Sequence, residues 1–130
     1  MRKTMRKIVS LVLAGVMLLG VGAMAASFYQ TFSPPKQGSG RVIASQLASG
    51  SFSPYINPEV YSVKTLYVLT PYSFYQYSTY ASSFVEAASP GRRSFTYNSG
   101  YGGAGTRVYL QGCPNVNQFY EYTVSGEWGA

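Results

Sequence analysis

This 130-residue sequence predicts an all-β fold, a small antiparallel β-sandwich of about seven strands preceded by a cleaved N-terminal signal helix. Two observations carry the strand content. β-Branched and aromatic residues alternate with polar ones over short stretches, and glycine, proline, serine and asparagine interrupt them every few residues. A small β-barrel is the alternative closure for strands at this spacing.

The chain opens with Arg2, Lys3, Arg6 and Lys7, continues through an apolar run from Ile8 to Val21, and reaches the small residues of Ala23-Met24-Ala25. A cationic start, an apolar middle and a small-residue cleavage position make up a secretory signal. Residues 1–25 are therefore expected to be a signal peptide and residues 26–130 a single domain, secreted to the extracellular space. If cleavage failed, Ile8 to Ala26 would barely span a bilayer, which takes about 20 apolar residues. No second run of that length follows, so no integral membrane domain is expected after cleavage.

Phe28 to Phe32 is the first expected strand, stopped at Pro34-Pro35 because two prolines remove two ladder donors. Arg41 to Ala48 is the second, with Ile43 and Leu47 on one face and Val42, Ala44 and Gln46 on the other. Ser49 to Pro58 reads as a loop. Val60 to Thr70 carries apolar residues on both faces, the pattern of a central strand.

Tyr72 to Tyr80 reads as another strand, which would put Tyr72, Phe74 and Tyr80 on one face and Tyr75 and Tyr77 on the other. Ala81 to Ala88 is open between strand and helix, since Ser83 and Glu86 have capping-box spacing. Arg93 to Tyr97 is a short strand and Asn98 to Gly105 a glycine-rich connection. Thr106 to Gly112 alternates, burying Val108 and Leu110 and exposing Arg107, Tyr109 and Gln111. Phe119 to Trp128 alternates most clearly, with Tyr120, Tyr122, Val124 and Trp128 facing one way and Glu121, Thr123, Ser125 and Glu127 the other.

Composition excludes several function classes. Four of the ten basic residues lie in the signal segment and all four glutamates lie beyond it, so the remainder carries only +2. Lys36, Arg41, Lys64, Arg92, Arg93 and Arg107 are too scattered for the basic stripe that nucleic acid requires. Arg92-Arg93 reads as a solvated turn. The single Cys113 rules out an internal disulfide and reads as a small buried residue in a Gly112-Cys113-Pro114 loop, with intermolecular pairing as the alternative.

The chain contains no histidine and no aspartate, so the commonest general base and the commonest metal ligand are missing. No enzyme activity, metal or cofactor is expected. Glu121 and Glu127 lie six residues apart on one strand, roughly 20 Å at about 3.3 Å per residue. A glycosidase pair needs about 5–10 Å. Gly100-Tyr101-Gly102-Gly103-Ala104-Gly105 matches G-x-G-x-x-G in form only, because a strand pattern and not a helix follows it.

The aromatic content is the positive signal. All 13 tyrosines, seven phenylalanines and the one tryptophan lie beyond the signal segment, one residue in five there. Tyrosine offers a flat apolar ring with a polar tip, which suits stacking on sugars or anchoring a protein partner. Tyr75, Tyr77, Tyr101 and Tyr109 are the expected binding residues, chosen because alternation or loop position exposes them. The expected role is non-catalytic binding of cell-wall polysaccharide or a surface protein. A secreted antimicrobial or toxin-like protein, and a matrix component with homo-association, are the alternatives.

Overall fold

A computed structural model of the chain describes residues 25–33, 40–117 and 120–130. Residues 1–24 of the expected 1–25 signal peptide, the Pro34-Pro35 break, Lys36 and Phe119 lie outside the described residues. Among the described residues there is no helix, and so none long and apolar enough to cross a membrane.

The described residues form eight strands, against about seven expected: β1 (Ala26–Phe32), β2 (Arg41–Leu47), β3 (Tyr55–Pro58), β4 (Thr65–Thr70), β5 (Val85–Ala87), β6 (Arg93–Ser94), β7 (Arg107–Pro114) and β8 (Tyr122–Gly129). They make two four-stranded antiparallel sheets, β1-β8-β3-β6 and β2-β7-β4-β5, packed face to face in a sandwich and not closed into a barrel.

One core joins the inner faces. Phe28 and Phe32 of β1, Ile56 of β3 and Val124 and Trp128 of β8 meet Tyr67 and Leu69 of β4 and Val108 and Leu110 of β7. The Phe28 ring stands edge-on to Tyr67 at 6.1 Å across the interface, and Phe32 stacks on its register partner Tyr122 at 5.3 Å. The Tyr122 hydroxyl bonds Thr65 Oγ1 at 2.9 Å, a polar tie between sheets. Burial pushes the Tyr122 phenol up to about 12 and Tyr67 higher still.

Several expectations are corrected. Tyr55–Pro58 is a strand, not loop: it pairs with β8 and β6, and Pro58 closes it where the ladder ends. The strand expected over Val60 to Thr70 begins only at Thr65, and Tyr61 is fully in solvent at 81% exposure. β4 is central, between β7 and β5, as its two apolar faces predict. A register shift between Val42 and Ala44 lets both Ile43 and Ala44 pack on the core and leaves Leu47 exposed. Residues 81–88 resolve as β5 with a bridge at Ser82, so the capping-box spacing forms no helix. Cys113 lies in β7, not in a loop, and is half-buried. Tyr120 precedes β8 and is exposed, whereas Gln111 is buried.

Candidate functional site

The two outer faces differ. On the first sheet, in the outward register of Ser27, Glu127 and Asn57, Ser27 and Glu127 are exposed and Asn57 is half-buried, with Tyr29 exposed. On the second sheet, alternation turns Leu66, Val68 and Thr70 of β4 and Tyr109, Gln111 and Cys113 of β7 outward, yet Val68, Thr70 and Gln111 are almost wholly buried. Residues 71–80 cover them.

This segment is not the strand expected over Tyr72 to Tyr80. Pro71 has no N–H to continue the ladder, and the Tyr72 N–H turns back onto Thr70 Oγ1 at 3.2 Å. The Gln76 backbone then finds a side chain in place of a strand. Its N–H donates to Gln111 Oε1 at 3.2 Å, and Gln111 Nε2 donates to its carbonyl at 2.9 Å. The Gln76 side chain in turn accepts from the Thr79 N–H at 3.2 Å. The chain rejoins the sheet at Ala81, whose N–H bonds the Leu69 carbonyl, and at Ser82, whose Oγ accepts from the Leu69 N–H.

Three aromatic pairs decorate the loop. Tyr72 and Phe74 lie 5.4 Å apart, Tyr75 and Tyr77 meet edge-on at 4.8 Å, and Tyr80 and Phe84 edge-on at 4.6 Å. Each pair presents a ring to solvent, Phe74 at 60% and Tyr77 at 73% exposure, with Phe84 also exposed. Two of the partner rings, Tyr75 and Tyr80, are held by further contacts. The Tyr75 hydroxyl reaches Cys113 Sγ at 3.6 Å, and its ring lies so close to Gly40 that a side chain there would overlap it. Burial, then the contact with the Cys113 thiol, push the Tyr75 phenol up. The Tyr80 hydroxyl donates to the Tyr77 carbonyl, and burial raises its phenol as well.

Of the four residues expected from sequence, Tyr75 and Tyr77 come together on this loop, the first half-buried and the second exposed. Tyr109 is half-buried on the same outer face, opposite Ser45 and Thr70. Tyr101 is exposed on the adjoining 98–105 connection, its N–H bonded to the Asn98 carbonyl. Tyr72, Phe74 and Tyr80, read from sequence as one face of the segment, were not among the expected binding residues, nor were Phe84 and Gln111, which positions the loop. Pro71 and the serines at 73, 78, 82 and 83 were the available loop signal.

Two charged residues share this outer face: Arg107, in register with Leu47, donates to Ser45 Oγ at 3.2 Å, and Glu86 lies opposite Leu66. The Arg92–Arg93 pair is not simply a solvated turn. Arg92 lies 3.9 Å over the Tyr55 ring, while the Arg93 guanidinium donates to the carbonyls of Ser89 and Gly91 and to Ser89 Oγ. All four glutamates are exposed; Glu86 accepts from Asn115 and Glu121 from Ser33 Oγ. The loop surface is thus built of phenol and phenyl rings, amides and hydroxyls, groups that act by stacking and hydrogen bonding.

Fold and surface together define a small antiparallel β-sandwich with an aromatic loop laid over one sheet. Comparison with protein-family models, with curated proteins and with solved structures finds no match to this chain.

Proposed function

We propose that the protein is a secreted, non-catalytic binding protein that recognises cell-envelope polysaccharide through the aromatic loop of residues 72–84. The observation that carries this reading is the placement of exposed rings on a segment whose backbone is pinned from below by Gln111. Exposed aromatics ordinarily cost solubility, and a contiguous group of them on a fixed support marks an interaction surface. Holding the rings before the ligand arrives reduces the ordering entropy lost on binding. A pyranose offers an apolar face to such a ring and hydroxyls to the neighbouring amides.

Co-sedimentation of the purified protein with insoluble cell walls and polysaccharides tests this directly, with soluble sugars as competitors. Saturable, competable binding is expected. Phe74→Ala and Tyr77→Ala should each weaken it about two- to ten-fold, the equivalent of roughly 0.5–1.5 kcal/mol per lost aromatic contact. Absence of binding to every wall and glycan would overturn the proposal.

A further inference from the structure

A groove of about 320 Å³ runs between the connection from β2 to β3 and the segment after β6. Phe52, Phe95 and Tyr97 supply its rings, and Ser51, Ser53 and Thr96 its hydroxyls. We propose that this groove is a second subsite that takes one neutral pyranose unit of the polymer bound by the aromatic loop, an inference that rests on the glycan reading of that loop.

Three features select the ligand. The volume lies at the small end of ligand pockets, roughly 300–1,000 Å³, and admits one ring more readily than a folded peptide. No lining residue carries a charge, so nothing there compensates the desolvation of a uronate, phosphate or ammonium group. Phe52 is 43% exposed, and Ser51, Ser53 and Thr96 are exposed, leaving a ring to stack on and hydroxyls that both donate and accept.

The groove is also fixed to the aromatic loop. Tyr97 pairs with Ser82, the Asn98 N–H bonds the Ala81 carbonyl at 2.8 Å, and Asn98 Nδ2 reaches the carbonyls of Tyr80 at 3.1 Å and Ser82 at 3.3 Å. The wall of the groove and the root of the Tyr80–Phe84 pair therefore belong to one hydrogen-bonded ladder. A polymer that reaches both would gain from linked contacts, which raise overall affinity without requiring a stronger single site.

Calorimetric titration and amide shift mapping of the purified protein with cello-oligosaccharides and N-acetylglucosamine oligomers of two to six units, and with a galacturonate hexamer, provide the test. A neutral hexamer should bind more tightly than its dimer and shift the amides of residues 50–54 and 95–97. Phe52→Ala, and Ser53→Trp to fill the groove, should weaken the hexamer about three- to ten-fold and leave the dimer unchanged. Tyr77→Ala should weaken both. Full hexamer affinity in both groove variants, with Tyr77→Ala still impaired, would overturn the groove and spare the loop. Equal groove shifts with the galacturonate hexamer would overturn its neutral specificity. Loss in the groove variants with none in Tyr77→Ala would overturn the loop reading instead.

Discussion

Replacing Gln111 with leucine tests the pinned loop most sharply. The substitution keeps most of the side-chain volume on a packed face and removes both bonds to the Gln76 backbone, at 3.2 and 2.9 Å. At about 1 kcal/mol net each, the two bonds are worth about 2 kcal/mol, or roughly a 30-fold change in the equilibrium between docked and undocked loop. Gln76 is half-buried, so water reaches its freed N–H and carbonyl when the loop lifts, and the loss stays near that figure. Opening should stop at Ala81, where bonds to Leu69 hold the chain to the sheet. Native-state hydrogen exchange should therefore show the Gln76 and Thr79 amides exchanging about 10- to 100-fold faster, with Ala81 far less affected. Unfolding followed by emission of Trp128, the chain's one tryptophan and fully buried, should report a global loss no greater than about 3 kcal/mol. Unchanged exchange at Gln76 would refute the pinning argument, and a much larger global loss would make Gln111 a determinant of the sandwich itself.

Four further outcomes follow from the same geometry. The Tyr97 hydroxyl is buried with no hydrogen-bond partner among the described residues, so Tyr97→Phe should stabilise the fold by about 1 kcal/mol and raise Tm by roughly 4–8 °C; a fall in Tm would mean that the hydroxyl is satisfied. Gly102 combines a φ of +81° with a Tyr97 ring that leaves no room for a Cβ, so Gly102→Ala should cost about 1–3 kcal/mol in denaturant unfolding. Arg93→Ala should cost about 1–2 kcal/mol because it strips the Ser89–Gly91 turn of its donor, whereas Arg92→Ala should cost no more than about 1 kcal/mol, the worth of an exposed cation–π contact; equal effects would contradict the assignment. Burial lifts the phenols of Tyr97 and Tyr122 from 10 to about 12, so between those values the unfolded chain releases protons that the folded chain keeps. Stability should be complete below pH 10 and fall as pH rises toward 12, visible as phenolate absorbance appearing together with the Trp128 emission change.

The strands were legible where one face is packed and the other open. In β8 the alternation of Tyr122, Val124 and Trp128 with Thr123, Ser125 and Glu127 translates directly into inside and outside. β4 shows two apolar faces, and both are buried, Leu69 and Tyr67 on the core side and Val68 on the other. The same loop defeats the pattern reading: residues 72–80 alternate aromatic and polar as a strand does, but their backbone is met by the Gln111 amide and Thr70 hydroxyl instead of a neighbouring strand. No local pattern reveals a partner 35 residues away. β3 was hidden for the opposite reason, since Pro54 precedes and Pro58 ends a four-residue strand whose pairing comes wholly from distant segments. At the candidate site, residue type pointed to Tyr75 and Tyr77, while Phe74 and Phe84 depended on how the loop turns.

The position of β8 also sets the order in which the fold can be made. It lies between β1 and β3, and the Thr31–Thr123 contact closes 92 residues of chain. Until residues 122–129 have been synthesised, β1 has no partner and the first sheet has no centre. Pairing so remote in sequence is slow, because loop closure precedes any gain from the contact. A ribosome-bound chain should stay open until residues 122–129 have emerged, and a long flexible tether placed after them should permit folding that a short tether blocks.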